Sequence, residues 1–88
     1  MKPIKFSLRF RRNFRSRISH NEQLVEAYQA STQAFLQDPE LVGDHPLEEP
    51  LKDKRAFWMN NDYRVVYQVR EDNLLFLDIG THEQVYQR

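Results

Sequence analysis

From residue 3 to residue 10 apolar side chains take every second position, Ile4, Phe6, Leu8 and Phe10. This period of two predicts an opening strand with one buried face. Phe10, Phe14 and Ile18 then recur every four residues with arginines between them, the pattern of a short helix that lays one stripe on the core and turns guanidinium groups to solvent. Ser19 and Glu22 have capping-box spacing, and Leu24, Val25, Tyr28, Thr32, Phe35 and Leu36 form a second helical stripe that Pro39 ends. The two stripes read as a helical hairpin.

Residues 38–53 hold three of the chain's four prolines and one of its two glycines, so a structured loop without helix or sheet is expected there. Residues 54–59, 63–70 and 74–79 read as strands. Asn60, Asn61 and Asp62 supply the first turn between them, Glu71, Asp72 and Asn73 the second, and one last helical turn follows from Glu83. The expected fold is α+β: strand, helix, helix and three strands, with the helical hairpin packed on one face of a small, mostly antiparallel, four-stranded sheet. On the third strand Tyr63, Val65, Tyr67 and Val69 point one way while Arg64, Val66, Gln68 and Arg70 point the other. Periodicity leaves open which set faces the helices.

Length adds a limit: 88 residues make one domain, too small for separate cofactor and substrate lobes, so any site should be shallow and lie on a sheet face or rim. There is no cysteine, which removes disulfides and thiolate ligands and fits a reducing cytoplasm. No phosphate-binding glycine loop, signal peptide or membrane-spanning run is read in the chain, so a cytoplasmic protein without cofactor or membrane partner is expected. A net charge of zero hides segregation. Residues 1–17 hold seven Lys or Arg and no acid, whereas residues 18–53 hold eight Asp or Glu against Lys52 alone. The basic segment points to a polyanionic partner, or else pairs with the acidic one.

The residues able to do chemistry gather late in the chain. Asp-His-Pro-Leu stands in the loop, Leu-Lys-Asp-Lys-Arg leads into a strand, and Asn-Asp-Tyr-Arg-Val-Val-Tyr is followed by Asp-Ile-Gly-Thr-His-Glu-Gln-Val-Tyr. With the order of elements, these motifs resemble the RelE/ParE superfamily, and within it the RelE and YafQ type of toxin from bacterial type II toxin-antitoxin pairs. The likeness spans nearly the whole chain and is most specific over residues 44–86. It implies a ribosome-dependent mRNA endoribonuclease that meets mRNA and ribosomal RNA at the ribosomal A site. It also implies a hetero-oligomer with a cognate acidic antitoxin. The ParE-like branch, which inhibits DNA gyrase without cutting RNA, and an inactive antitoxin-binding module of the same fold are the alternatives.

Position by position, the resemblance puts His82 where YafQ-like enzymes have a histidine proposed as general acid, and Tyr86 where these toxins carry a C-terminal aromatic that stacks or assists proton transfer. His45 matches a loop histidine of the YafQ type, Asp62 the acidic residue of its turn, and Arg64 a phosphate-contacting arginine of RelE. Lys52, Lys54 and Arg55 fall where RelE-like proteins place cations on the RNA backbone. The chain departs from the pattern at Leu-Glu-Glu-Pro, where relatives have a glycine, and at Trp58, where the YafQ type has a second histidine. Acid beside an RNA path repels phosphate, which leaves weak cleavage, cleavage through another base, or none as outcomes.

The chemistry supports the same residues. Attack of a ribose 2′-hydroxyl on the adjacent phosphate, without metal, needs a base, an acid for the leaving 5′-oxygen and a cation for the charge building on phosphorus. His45 or Asp62 fits the base and His82 the acid, since imidazole serves either proton role near neutrality. Arg64 with Lys54 or Arg55 fits the clamp, and Tyr63, Tyr86 or Trp58 a stacking platform for an unpaired base. His20 reads as structural. Two histidines and Asp62 lack metal-ligand spacing, so no metal is expected.

Overall fold

The structure, a computed structural model, describes residues 2–49 and 51–86. In chain order come β1 (Ile4–Phe6), α1 (Leu8–Arg17), α2 (Glu22–Gln37), a 3-10 turn (Pro39–Val42), β2 (His45–Pro46), β3 (Arg55–Trp58), β4 (Tyr63–Val69), β5 (Leu74–Thr81) and α3 (His82–Val85). The α+β class holds, but the sheet has five strands rather than four, in the order β1-β5-β4-β3-β2, with β1 parallel to β5 and the other pairs antiparallel. The extra strand comes from the proline-rich loop, where His45 and Pro46 pair with Ala56 and Arg55. A proline is tolerated there because β2 is an edge strand. The same loop is also partly helical: Asp38 caps the 3-10 turn through Oδ1 to Glu40 N–H (3.1 Å), and Pro39, read as a stop signal, starts that turn.

Two boundaries near the N-terminus move for one reason, the capping side chains. β1 ends at Phe6, four residues before the expected strand would, because the Ser7 hydroxyl accepts from Phe10 N–H at 3.0 Å and starts α1 at Leu8. Leu8 is consequently 65% exposed instead of buried. Asn21, not Ser19, caps α2, its Oδ1 accepting from Gln23 and Leu24 N–H, while Ser19 donates back to Arg15 O.

Tyr63, Val65 and Tyr67 belong to the helix-bearing face, where Phe57, Phe76 and Ile79 meet Phe10, Ile18 and Phe35. Phe35 of α2 stacks on Phe57 with centroids 4.5 Å apart, and Phe14 of α1 meets Tyr28 of α2 edge-on at 5.0 Å. A bulge leaves Leu77 without a partner between the Val66–Asp78 and Tyr67–Phe76 pairs. It lets Phe76 and Ile79, three residues apart, reach the same core. Past the end of β1, α1 holds the outer side of β5: Ser7 Oγ donates to Leu77 O, Asn13 Nδ2 to Asp78 Oδ1, and Arg17 Nη1 to Ile79 O. The opposite face carries a smaller cluster, Ala56, Val66 and Val85 with Leu47, Leu77 and Tyr86. No helix among the described residues is long and apolar enough to cross a membrane.

Candidate active site

The groove face is built where α3 folds back over the sheet. Thr81 and Gln84 form a capping box, Thr81 Oγ1 accepting from Gln84 N–H and Gln84 Oε1 from Thr81 N–H, so the helix begins at His82 and not at Glu83. His82 N–H donates to Asp62 O at 3.1 Å, tying α3 to the β3–β4 turn. One helical turn on, Tyr86 sits edge-on to the His82 ring, centroids 4.5 Å apart at 77°. The Tyr86 hydroxyl is buried without a hydrogen-bond partner among the described residues. Burial raises its phenol above the ordinary value, with nearby Arg64 pulling the other way, so it is a protonated donor at neutral pH.

Arg64 is held at the head of β4 by one nitrogen. Its Nη1 donates to the carbonyls of Asn60, Asn61 and Tyr63 at 3.0, 3.2 and 3.1 Å, and the guanidinium lies 5.3 Å from the Trp58 ring centre. No carboxylate pairs with it among the described residues. His45, on the edge strand, meets Gly43 O through Nδ1 at 2.8 Å. With the proton on Nδ1, the Nε2 lone pair is free, the state a general base requires.

His45, His82, Arg64, Tyr86 and Trp58 line one groove of about 410 Å³ together with Gly43. Past the two histidines and Tyr86 the groove continues along Leu47, Glu48, Glu49 and Leu51. The sequence-predicted groups that the structure does not bring there are equally informative. Asp62 lies on the far side of His82, in a separate dent with Tyr63 and Thr81. Tyr63 packs against the helix-side core. Arg55 points to the helix-bearing face, bound by both oxygens of Asp44. Lys52 pairs with Glu49 and Lys54 with Asp53, whose carboxyl it holds below the usual range. Sequence reasoning missed Gly43, whose φ of +66° closes the 3-10 turn and which leaves no room for a Cβ beside the Trp58 indole. Its place two residues before His45 was the available signal.

The groove can thus offer a free imidazole lone pair, a second imidazole backed by the Tyr86 ring, and a guanidinium beside a half-exposed indole. No group of three or more His, Asp or Glu side chains converges as a metal-ligand set among the described residues. A second groove lies on the helix side, where Phe6, Phe10, Phe14 and Tyr28 form an apolar floor and Arg11 and Arg15 a rim.

Comparison with known proteins adds three findings. The family model described as the bacterial toxin of type II toxin-antitoxin system, YafQ, matches residues 2–87. Among solved structures, the chain is similar to a metal-bound toxin from Helicobacter pylori (26% identity, TM-score 0.76, covering 98% of this chain and 100% of that one). It is also similar to YafQ from E. coli strain BL21(DE3) (18% identity, TM-score 0.74, 98% and 99% covered) and to a chain of the E. coli DinJ-YafQ complex (20% identity, TM-score 0.68, 98% and 99% covered). No curated protein matches.

Proposed function

The chain belongs to the YafQ family of type II toxin-antitoxin toxins, and on that premise we propose that it is an endoribonuclease that cuts mRNA on the ribosome and thereby stops translation. The carrying observation is the convergence of His45, Arg64 and the His82–Tyr86 turn on one groove, from three separate places in the chain. His45 Nε2 takes the 2′-hydroxyl proton, His82 returns a proton to the leaving 5′-oxygen with Tyr86 packed edge-on against its ring, and Arg64 stabilises charge on the phosphate. Trp58, 51% exposed on the groove wall, stacks on an unpaired base.

This reading narrows the expected set. Asp62, out of the groove, holds the start of α3 through its backbone carbonyl rather than acting as base, while Lys52 and Lys54 contribute charge around the RNA path. The partner is an acidic antitoxin, as the DinJ-YafQ complex of a related toxin suggests, and the arginine-rimmed aromatic groove suits an acidic segment with apolar anchors. Purified translating ribosomes with end-labelled message test the reaction. Discrete cuts by the wild type and none by His82→Ala are expected; an intact message at excess protein, or full cutting by that variant, removes the mechanism.

A further inference from the structure

Asp44, Arg55 and Tyr67 form a cluster of ionisable side chains that the mechanism does not use. Arg55 Nε lies 3.2 Å from each Asp44 oxygen and Nη2 lies 2.7 Å from Oδ2, while the Tyr67 hydroxyl donates to Oδ1. Tyr67 is buried against Phe35, and the Asp44 side chain is only 12% exposed. We propose that this cluster is a clasp that positions His45, and that Arg55 and Tyr67 are positioning residues and not contacts to RNA.

The connection runs through the edge of the sheet. β2 is two residues long and includes a proline without an N–H, so its backbone hold on β3 is slight. Asp44 immediately precedes it and, by alternation, lies on the face opposite His45. Arg55 is the cross-strand partner of Tyr67 and of Pro46, so the clasp grips the loop from the helix side at the height of β2. Gly43 on the other flank of Asp44 supplies the carbonyl that meets His45 Nδ1. Fixing Asp44 therefore fixes both the ring and the acceptor that selects its tautomer. An arginine whose Nε and Nη2 are held by both carboxylate oxygens has its charge compensated on that edge, which weakens its pull on a phosphate. Arg55 stays charged, because the Asp44 carboxylate raises its already high pKa, and Tyr67 stays protonated.

The inference rests on His45 acting as base, so its test has a readout independent of cutting. Nitrogen-15 NMR of the imidazole rings reports which nitrogen of His45 carries the proton. Arg55→Gln, Arg55→Lys and Tyr67→Phe are compared with wild type, and circular dichroism verifies each fold. Arg55→Gln should shift His45 away from the Nδ1–H form and lower the single-turnover rate on the order of tenfold to a hundredfold at unchanged ribosome affinity, since misplacement by about 1 Å has effects of that size. Arg55→Lys should restore part of both, and Tyr67→Phe, which keeps the ring, should act in the same direction more weakly. A His45 signal unchanged in folded Arg55→Gln overturns the clasp, as does weaker ribosome binding at an unchanged rate, which would make Arg55 an RNA contact. If the signal shifts while the wild type cuts no message, the clasp stands and the nuclease reading falls.

Discussion

Arg64 and Trp58 are direct cross-strand partners, and the guanidinium carbon stands 5.3 Å from the centre of the indole ring. At a half-exposed site such a cation–π contact contributes only about 0.5–1 kcal/mol. Its importance is geometric: the ring steadies an arginine with no acidic partner among the described residues, leaving it open toward a phosphate. Arg64→Ala should lower the single-turnover rate by roughly 10²–10³, the usual effect of removing a donor to developing charge. Trp58→Ala should instead weaken RNA binding by about 1–3 kcal/mol. Trp58 is the chain's one tryptophan, so its fluorescence reports occupancy of the groove directly. Equal losses of rate and affinity in both variants would contradict the division.

His45 and His82 reach the groove from an edge strand and from the start of α3, and share it with Tyr86. Single alanine substitutions should each reduce cutting by about 10²–10⁴. The double variant should lose little more than the worse single one, because a base and an acid serving one step act as a unit. Strictly multiplicative losses in single-turnover assays would place the two imidazoles in separate steps.

The groove was legible in the sequence to the extent that motif carries position. His82, Arg64, Tyr86 and His45 came from matched motifs and converge, joined by Trp58, which departs from the motif and was assigned by residue type. Arg55 came from a region where relatives place cations and Tyr63 from its residue type, and their strand parity sends both to the helix side. Alternation had already divided β4 into two sets, but nothing local to the chain says which set the helices cover. That choice is made by Phe10, Ile18 and Phe35 packing on Phe57 and Phe76, contacts distant in sequence. The short strand β2 was hidden because proline and glycine density signals a loop, whereas one edge pairing survives beside a proline.

Gly43 is the only described residue with positive φ, at +66°. An added Cβ would also stand 3.0–3.2 Å from three indole atoms of Trp58. Gly43→Ala combines left-handed strain of about 1–2 kcal/mol with pressure on a groove wall. A lower melting temperature with a changed Trp58 emission spectrum is expected, and so is slower cutting, because the carbonyl of this residue accepts from His45. An unaltered spectrum would mean that the loop, rather than the indole, gives way.

Alkali should act through Tyr67. Burial first, and then its bond to the Asp44 carboxylate, push this phenol well above its ordinary value of 10.0. Above pH of about 10 the unfolded chain releases the tyrosine proton while the native state retains it, so the unfolded state binds fewer protons and stability falls as pH rises. Below that pH both states are protonated and the contribution is complete. Tyr28 and Tyr86, also raised mainly by burial, add to the same slope. Tyr67→Phe should lose about 1 kcal/mol at neutral pH with the hydrogen bond, yet decline less steeply in alkali because one of the three retained protons is gone. Urea unfolding at a series of pH values from neutral to strongly alkaline measures both effects. A slope identical in wild type and Tyr67→Phe would mean that this hydroxyl ionises as readily in the native state as in the unfolded chain, which its place between Asp44 and the aromatic core opposes.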